Sequence, residues 1–380
     1  MVGGGEGAFI GAVHRAAAGL DQAIELVCGA FASDAERSRR SGASLGLPPE
    51  RCYADFDSMF AAEAELPVAK RMEFVAIVTP NDLHLAVATA AFRHGFHVLS
   101  DKPATRTLAE CLELRDALKA SGCLYGITHP YASYPLVVEA AERVRAGQLG
   151  TVRKVLVEYT QGWLAEPIER RGQKQAIWRL DPKRAGLSSC MGDIGVHAFH
   201  LAELVTNLRT TELCADLSSI VAGRALDDDG AAFLRFDNGA RGVLVASQIC
   251  TGDENDLRLR VYGDAASLEW RQQEPNSLWI RHGHKPVELI RSGGDGLGAA
   301  ARANSRLPSG HPEGYLEAFA NVYRHFAAQV RVQGGNGNGG PPPRAVPGIA
   351  AALRGMAFIE TVVAASKSAQ KWHAFPNVTS

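Results

Sequence analysis

The sequence predicts two architectures in series: an α/β part built on a parallel sheet and an α+β part built on a mostly antiparallel sheet. In the first 126 residues, short apolar runs alternate with Ala-rich stretches that have helical spacing, which is the pattern of a parallel sheet covered by helices. Beyond them, alternating runs follow one another, and the turn Asp237-Asn238-Gly239 between two of these runs is typical of a β-hairpin. We expect one domain over residues 1–126 and a second over residues 127–380.

Three short, continuously apolar runs are predicted as strands of the first domain, because strands covered on both faces have little polar character. They are Ile24–Val27, Phe74–Val78 and His97–Leu99. Apolar residues at intervals of three and four predict the helices Leu85–His94 and Leu108–Ala120. This order of strands and helices predicts a parallel sheet.

In the second domain, runs rich in Val, Leu, Tyr and Trp are predicted as strands separated by turn formers. These runs are Val152–Thr160, Ala231–Phe236, Gly242–Ser247, Leu257–Tyr262, Ser267–Trp270 and Leu278–Arg281. A last helix is predicted over Gly348–Ser366. Successive hairpins of this kind predict a large, mostly antiparallel sheet, and an uncovered face of such a sheet favours self-association.

Composition and charge exclude several classes of partner. The 380 residues include 40 Lys and Arg against 41 Asp and Glu, a net charge of −1, so the chain lacks the basic excess that nucleic acids and anionic membrane surfaces require. No apolar run approaches the ~18 residues that span a bilayer, and the first residues show no secretory signal. The seven cysteines are scattered and form no CxxC pair, which predicts no metal site. We expect a cytoplasmic enzyme with a small-molecule substrate.

The sequence opens on a glycine-rich turn that precedes a helix-like stretch. Gly3 and Gly5 match the first two glycines of a GxGxxG pattern, and Ala8 can serve as the third. Small residues at these positions let backbone N–H groups and a helix N-terminus approach a pyrophosphate. The turn alone is a weak signal, and its weight comes from the motifs that follow it.

The tip of the second predicted strand bears on the choice between NAD and NADP. The segment Cys28–Ser33 has no carboxylate at the position that normally binds the ribose hydroxyls. Ser33 and Arg37 could bind a 2′-phosphate instead, whereas Asp34 could be the N-cap of a helix over Ala35–Arg40. Both cofactors therefore stay open.

Two further turns follow predicted strands, which is where open parallel sheets bind their ligands. The turn after Phe74–Val78 contains Thr79-Pro80-Asn81 and, three residues on, His84. The turn after His97–Leu99 is Ser100-Asp101-Lys102-Pro103. Both turns are expected near a cofactor, although Asn81 could simply cap a helix.

The segment Gly192–His200 has the highest density of chemically active side chains. Asp193 and His197 are four residues apart, a spacing that places both on one face of a helix. A carboxylate one turn from an imidazole suits general acid–base catalysis, because histidine titrates near neutrality. A capped helix start with an incidental histidine is the alternative. A metal site formed with His200 is disfavoured, because no further ligand motif completes it.

Together, these motifs resemble those of the Gfo/Idh/MocA family of oxidoreductases, which includes glucose–fructose oxidoreductase and inositol dehydrogenase. The motifs cover nearly the whole chain and occur in the family's order. They are Gly3-Gly4-Gly5, Thr79-Pro80-Asn81 with His84, Asp101-Lys102-Pro103, Trp178-Arg179, Asp193–His197 and Gly355–Glu360. The chain departs from the family at the glycine turn, which carries an insertion, Glu6-Gly7-Ala8, when aligned on Ile10-Gly11, so that the third glycine stays open. It also departs at the tip of the second strand, which lacks the acidic residue, at Asp101, which replaces Glu, and at His200, where the family often has Asp.

The resemblance implies an N-terminal Rossmann domain that binds NAD or NADP and a C-terminal α+β domain with a large open sheet. It implies Lys102, Asp193 and His197 as the catalytic residues. The residues expected at the cofactor are Gly3, Gly5, Phe9, Ile10, Ser33, Arg37, Thr79, Pro80, Asn81, His84, Asp101 and Lys102. The residues expected along the substrate, because aromatic faces pack on sugar rings and Arg binds hydroxyls or carboxylates, are Tyr131, Tyr134, Trp178, Arg179 and His200.

The function that the resemblance implies is hydride transfer between a nicotinamide cofactor and a polyol, a sugar or a similar polyhydroxylated substrate. Two alternatives stay open. One is a redox-neutral enzyme in which tightly held NAD oxidises a sugar carbon transiently so that a glycoside is eliminated. The other is a non-catalytic protein that binds a dinucleotide or sugar, against which the presence of Lys102, Asp193 and His197 argues. We also expect a homo-oligomer, a dimer or tetramer formed through the C-terminal sheet.

Overall fold

The computed structural model describes residues 1–335 and 344–378. Within these ranges the chain divides into two compact units. Residues 1–128 belong to the first unit together with the described part of 319–353, and the second unit contains residues 129–318 and those from Arg354 onward. The domain boundary expected at residue 126 assigns the segment 319–353 to the second domain instead. The segment joins the first unit because Phe326 packs edge-on against Phe74, with ring centroids 5.3 Å apart.

The first unit is built on a parallel sheet of four strands in the order β1-β2-β3-β4. The strands are β1 (Val2–Gly3), β2 (Phe74–Val78), β3 (His97–Ser100) and β4 (Tyr125–Ile127). On the far side of β1, single parallel bridges join Val2 to Ala30 and Gly29 to Cys52. The sheet and these bridges confirm the predicted parallel α/β architecture.

The strand predicted over Ile24–Val27 is wrong, because the paired residues lie a few positions later. Ala30 N–H donates to the carbonyl oxygen of Met1 at 3.0 Å, and Gly3 N–H donates to that of Ala30 at 2.9 Å. Residues 24–27 therefore precede the start of β1 in this parallel register, and no described strand lies beside them. An apolar run forms a strand only where a neighbouring backbone pairs with it.

Within the described residues 1–128 of the first unit, five α-helices follow the strands and turns. They are α1 (Phe9–Gly19), α2 (Ala35–Ser44), α3 (Phe56–Glu65), α4 (His84–Arg93) and α5 (Leu108–Ser121). The side chains of Asp34, Asp55 and Thr107 accept hydrogen bonds from the first turns of α2, α3 and α5, which fixes where these helices begin. The two helices predicted for this part agree with α4 and α5 to within one residue at each end.

The second unit contains a nine-stranded sheet in the order β12-β11-β10-β9-β5-β8-β7-β6-β13. The strands are β5 (Val152–Thr160), β6 (Thr210–Ser218), β7 (Asp229–Phe236), β8 (Arg241–Ser247), β9 (Asp256–Gly263), β10 (Ala266–Arg271), β11 (Ser277–His282), β12 (Glu288–Arg291) and β13 (His373–Ala374). Neighbouring strands are antiparallel except β5 and β8, which are parallel. The predicted mostly antiparallel sheet is confirmed, and its hairpin turn at Asp237-Asn238-Gly239 joins β7 to β8.

The remaining helices are α6 (Pro135–Arg145), α7 (Lys174–Arg179), α8 (Pro182–Ala185), α9 (Val196–Thr206), α10 (Ala299–Ala303), α11 (Tyr315–Gln333) and α12 (Ile349–Ser366). In the second unit, Phe199 of α9 stacks on Phe358 of α12 with ring centroids 4.4 Å apart.

Helix α12 is long and apolar enough to cross a bilayer, and 61% of it is buried inside the structure. Burial of this extent is what a core helix requires.

Candidate active site

The glycine turn after β1 depends on close backbone approach. Gly3, Gly4 and Gly7 have φ angles of +78°, +73° and +76°, a region that side chains rarely enter. A Cβ atom on Gly11 would lie 2.4 Å from the Cα atom of Gly4, so Gly4 and Gly11 let α1 pack on β1. This close approach favours Gly11 over Ala8 as the third glycine of the motif, a choice that the sequence leaves open.

The N-terminus of α1 faces this turn without a side-chain cap. Ala8 is the N-cap residue, its side chain cannot accept a capping hydrogen bond, and the first turn has no acidic residue. Phe9 is 71% exposed. Uncapped N–H groups at the positive end of an eleven-residue helix fit the pyrophosphate of a dinucleotide.

The loop after Ala30 bears on the adenosine end of a dinucleotide. Asp34 is the N-cap of α2, and its carboxylate accepts from Arg37 N–H at 2.7 Å. The Arg37 guanidinium reaches back to the glycine turn and donates to the carbonyl oxygen of Glu6 at 2.6 Å. Ser33 is exposed. The turn thus has a cation beside it, and Asp34 has the capping role that the sequence left open.

The turn after β2 is held by His84. One ring nitrogen, Nδ1, lies 2.8 Å from the carbonyl oxygen of Pro103, and Nε2 lies 2.9 Å from that of Thr79. The buried imidazole thus links the turns after β2 and β3, and its expected contact with the cofactor stays a prediction. Asn81 opens a 3-10 turn, Asn81–Leu83, and is buried.

Thr79 offers a group that a dinucleotide can use. Its Oγ1 atom is buried and has no hydrogen-bond partner among the described residues. A buried hydroxyl without a partner costs stability unless a ligand or water satisfies it. Together with the uncapped end of α1, this hydroxyl fits a cofactor at the carboxyl ends of the strands.

The turn after β3 is ordered around the carboxylate of Asp101. Its Oδ1 atom accepts from Lys102 N–H at 2.8 Å and from Thr128 Oγ1 at 2.7 Å, and Oδ2 lies 3.7 Å from Nε2 of His14. Burial alone would raise the pKa of Asp101, but His14, Lys102 and Thr128 outweigh it and hold the pKa well below its usual range. Buried His14 is itself held by Tyr323, whose hydroxyl lies 2.7 Å from Nδ1. Asp101 therefore fixes the backbone of Lys102.

The segment before α9 does not form the regular α-helical turn that the spacing of Asp193 and His197 predicts. Met191–Gly195 is a π-helical turn, and α9 begins at Val196. The carboxylate of Asp227 accepts from Ser189 N–H and from Met191 N–H, both at 3.0 Å, at the start of this turn. Burial raises the pKa of Asp227, although these backbone donors oppose the increase. Single π-helical turns are frequent at functional sites.

Asp193 is surrounded by polar side chains from other elements of the second unit. Its Oδ2 atom accepts from Nε2 of Gln248 at 2.9 Å and lies 3.3 Å from Nε of Arg179. The Arg179 guanidinium lies over the ring of Trp178, 4.3 Å from its centroid. The structure thus brings Trp178 and Arg179, expected along the substrate, next to Asp193.

His197 belongs to a buried cluster of aromatic side chains. Its Nδ1 atom lies 3.0 Å from Nδ1 of His129, and the two residues are 6% and 1% exposed. His129 stacks on His200, with ring centroids 4.1 Å apart and planes 9° from parallel. Tyr131 meets the His197 ring edge-on, at 5.0 Å between centroids. The cluster fixes the orientation of the His197 imidazole.

Two of the residues expected along the substrate are buried. Tyr131 shares a short hydrogen bond of 2.5 Å with the hydroxyl of Tyr159, and Asn255 contacts both hydroxyls. Burial raises the pKa of Tyr131 and of Tyr159. Tyr134 packs on Trp270 with centroids 5.2 Å apart and is buried, so its ring contributes to the packing of the second unit, and its expected place along the substrate stays a prediction.

Sequence reasoning missed several of these side chains, namely His14, His129, Tyr159, Asp227, Gln248, Asn255 and Tyr323. One signal was available for His129, because it follows β4 by two residues and the ends of parallel strands carry functional groups. The short run Tyr125–Ile127 was not predicted as a strand.

The thiol of Cys190, next to the π-helical turn, is fully buried, and burial raises its pKa well above the ordinary value, which is typical of a structural cysteine. Among the described residues, no group of three or more His, Cys, Asp or Glu could hold a metal ion.

Comparison with known proteins places the chain in a family. Residues 1–129 match the model of the oxidoreductase family with an NAD-binding Rossmann fold, and residues 137–269 match the Gfo/Idh/MocA C-terminal domain. The chain belongs to the Gfo/Idh/MocA family of oxidoreductases and carries its NAD-binding domain. The resemblance predicted from the motifs is confirmed.

Similar proteins align over almost the whole chain. An uncharacterized oxidoreductase, YfiI, of Bacillus subtilis is 32% identical over 99% of this chain and 96% of its own. The crystal structure of an inositol dehydrogenase homologue from Azotobacter vinelandii with NAD+ is 35% identical, with a TM-score of 0.91 and coverage of 99% and 96%. The same homologue with NADH and myo-inositol is 34% identical, with a TM-score of 0.90 and the same coverage.

Proposed function

We propose that the protein is an NAD(P)-dependent dehydrogenase or reductase that acts on a CH–OH group of a polyol, a sugar or a similar polyhydroxylated ring. The observation that carries the proposal is the buried imidazole of His197, which lies on α9, the helix that follows Asp193. Its Nδ1 atom is held 3.0 Å from Nδ1 of His129. Family membership and the crystallised relative with NADH and myo-inositol support it.

The dinucleotide would be held by the carboxyl ends of the parallel strands. The uncapped N-terminus of α1 suits the pyrophosphate of the dinucleotide. The hydroxyl of Thr79 can donate a hydrogen bond to the dinucleotide. Pro80, Asn81, Phe9 and Ile10 remain expected contacts. When bound, the nicotinamide supplies the site that accepts or returns the hydride.

The protein's own residues would handle the proton. In oxidation, His197 would accept the hydroxyl proton at Nε2, because its Nδ1 atom already meets His129. The Lys102 ammonium would hydrogen-bond the same substrate oxygen and stabilise developing negative charge on it. Asp193, fixed by Gln248 and Arg179, would orient the reacting hydroxyl.

Recognition of a polyhydroxylated ring would come from the neighbours of Asp193 and His197. The indole of Trp178 offers a flat face, and Arg179 offers donors for hydroxyl oxygens. His200 adds a half-buried ring nitrogen beside His129. These side chains bear several hydrogen-bonding groups around one apolar surface, which suits a sugar or polyol better than an apolar alcohol.

Copies of the chain are proposed to associate through the face of the nine-stranded sheet that carries Phe233. This side chain is 56% exposed and lies between its cross-strand neighbours Cys214 and Val243. Burial of such a patch favours a dimer or tetramer.

All seven cysteines are free thiols, which suits the reducing cytoplasm, where we expect the enzyme to work.

Native mass spectrometry of the purified protein, followed by a screen of polyols and sugars for reduced nicotinamide, tests the proposal. We expect a bound or readily bound NAD or NADP and net formation of NADH or NADPH with at least one polyol. A protein that binds no dinucleotide would contradict the proposal. Cleavage of a glycoside without net reduction would assign the chain to the redox-neutral alternative.

A further inference from the structure

His129 lies outside every motif in the sequence, yet it makes a close polar contact with His197. The two Nδ1 atoms are 3.0 Å apart in a buried environment, and the ring planes are 86° from parallel. At this distance one nitrogen donates a hydrogen bond to the other. The contact therefore holds one proton between the two rings.

This geometry restricts the protonation states of the pair. A neutral imidazole carries its proton on one nitrogen and a lone pair on the other. If Nδ1 of His197 donates, its Nε2 is left with a lone pair and can act as a base. If Nδ1 of His129 donates, Nε2 of His197 carries the proton and cannot accept another. Two imidazolium rings would point two N–H groups at each other, which the short distance excludes.

The plane of the His129 ring is itself fixed. The ring of His129 is stacked on His200, 4.1 Å between centroids and 9° from parallel, and its carbonyl oxygen accepts from Ala132 N–H at 3.1 Å. The ring plane is thus held from one face and the backbone by the following turn. Tyr131 packs edge-on against His197, so both rings of the pair are held in place.

We propose that His129 is a positioning residue that accepts a hydrogen bond from Nδ1–H of His197 and so fixes the tautomer of His197 that has its lone pair on Nε2. The inference rests on the proposed role of His197 as the base. When His197 takes the substrate proton at Nε2, its Nδ1–H bond to neutral His129 becomes charge-assisted and therefore stronger. No proton leaves the pair in this step, because His129 accepts a hydrogen bond and not the proton itself.

The direct test is NMR of the wild-type holoprotein, loaded with the dinucleotide that it binds and labelled with ¹⁵N at histidine. The nitrogen shifts distinguish protonated from unprotonated ring nitrogens, and the variants H129N and H197N assign the signals. We expect His197 to be protonated at Nδ1 and unprotonated at Nε2 near neutral pH, with His129 in the opposite tautomer. A proton on Nε2 of neutral His197, or averaged signals for its two nitrogens, would overturn the proposal. This readout requires no turnover, so it stands apart from a failure of the proposed function.

Kinetics with two substitutions separate the acceptor from the bulk of the ring. Asn places its Oδ1 atom near the position of Nδ1 and can accept the same hydrogen bond, so His129→Asn should keep kcat within about 10-fold of wild type. His129→Leu fills the space without an acceptor, and we expect kcat to fall about 100-fold, the smaller end of a general-base effect, with KM little changed. Equal kcat values for the two variants would overturn the proposal, as would a raised KM at unchanged kcat.

The matched control is His282→Leu, which removes a histidine from the same unit where it pairs with Glu288, and it should keep wild-type kcat. If His129→Leu fails to fold, the tautomer measured in the wild type and the kcat of His129→Asn decide the question. A kcat of His129→Asn as low as that of His197→Asn would then count against the proposal.

Discussion

Two regions differ in the kind of group that they offer to a ligand. One is the carboxyl ends of the strands in the first unit, and the other is the histidine cluster of the second unit. In the first unit, the groups offered to a ligand belong largely to the backbone, because the N-terminus of α1 has no side-chain cap and Gly4 and Gly11 let this helix pack closely on β1. In the second unit, the groups are side chains, and His129, Tyr131 and Tyr159 pack around the ring of His197 and hold it.

The difference matches the task that each region is proposed to have. Binding a dinucleotide requires access and a favourable electrostatic field, which an open helix N-terminus supplies. Moving a proton requires one nitrogen with a defined lone pair, which requires the imidazole to be held by neighbours. We therefore expect substitutions in the cluster to change kcat and substitutions in the glycine turn to change dinucleotide affinity.

The largest effect is expected from His197→Asn in the second region. A base must be neutral to accept a proton, so oxidation by the wild type should fail as pH falls and His197 becomes protonated. In the variant this acidic limb of kcat/KM should vanish, leaving a pH-independent rate lower by about 10²–10⁴-fold. The pH profile of initial rates provides the measurement. An unchanged acidic limb would assign the titrating base to another group.

Lys102→Ala should follow in size, because it removes a cation that stabilises charge on the substrate oxygen. We expect kcat to fall by about 10²–10³-fold while dinucleotide affinity, measured by fluorescence titration, changes little. Lys119→Ala on the exposed side of α5 serves as the control. Turnover near that of the control would remove Lys102 from the mechanism.

Gly11→Ala tests the backbone character of the first region. The added Cβ would lie 2.4 Å from Gly4, so we expect a loss of about 1–3 kcal/mol in the free energy of unfolding together with weaker dinucleotide binding. Gly19→Ala, in the same helix, is the matched control, because a Cβ there has no atom within 4 Å. Thermal unfolding and titration of both variants give the comparison. Equal behaviour of the two would mean that close packing of α1 on β1 is unnecessary.

The smallest effect concerns cofactor choice. We expect NADP to bind at least as well as NAD, with Arg37→Ala weakening NADP by up to about 10-fold, as loss of one charge-assisted contact does, and leaving NAD unchanged. Arg39→Ala, exposed on the same helix, should affect neither. A strong preference for NAD that survives Arg37→Ala would show that Asp34 reaches the ribose.

What the sequence could predict depended on how local each feature is. Strand Phe74–Val78 and strand Val152–Thr160 have the predicted bounds, because their apolar patterns are complete within a few residues. The glycine turn is likewise local, although the sequence leaves its third glycine open between Ala8 and Gly11, since the contact of Gly4 with Gly11 depends on the conformation of the loop between them. The predicted strand Ile24–Val27 failed for a related reason: its pairing depends on where β1 lies.

The site was less predictable where contacts join distant parts of the chain. His129 and His197 are 68 residues apart, and Asp193 and Gln248 are 55 apart. No periodicity relates such pairs, and single His, Gln or Tyr residues are common in ordinary cores. Lys102 and His197 could be singled out because short motifs contain them, whereas their supporting residues could be found only from the fold.

The central claim is net hydride transfer from a polyol carbon to the nicotinamide, and a deuterium-tracing experiment tests it most directly. The protein is incubated with NAD+ or NADP+ and a polyol, such as myo-inositol, that carries deuterium on its carbinol carbons, and the released cofactor is analysed by NMR. The account predicts one deuterium at C4 of the nicotinamide for each molecule of ketone formed, and a loss of this label in His197→Asn. Dinucleotide that binds but gains no deuterium with any polyol or sugar would contradict it.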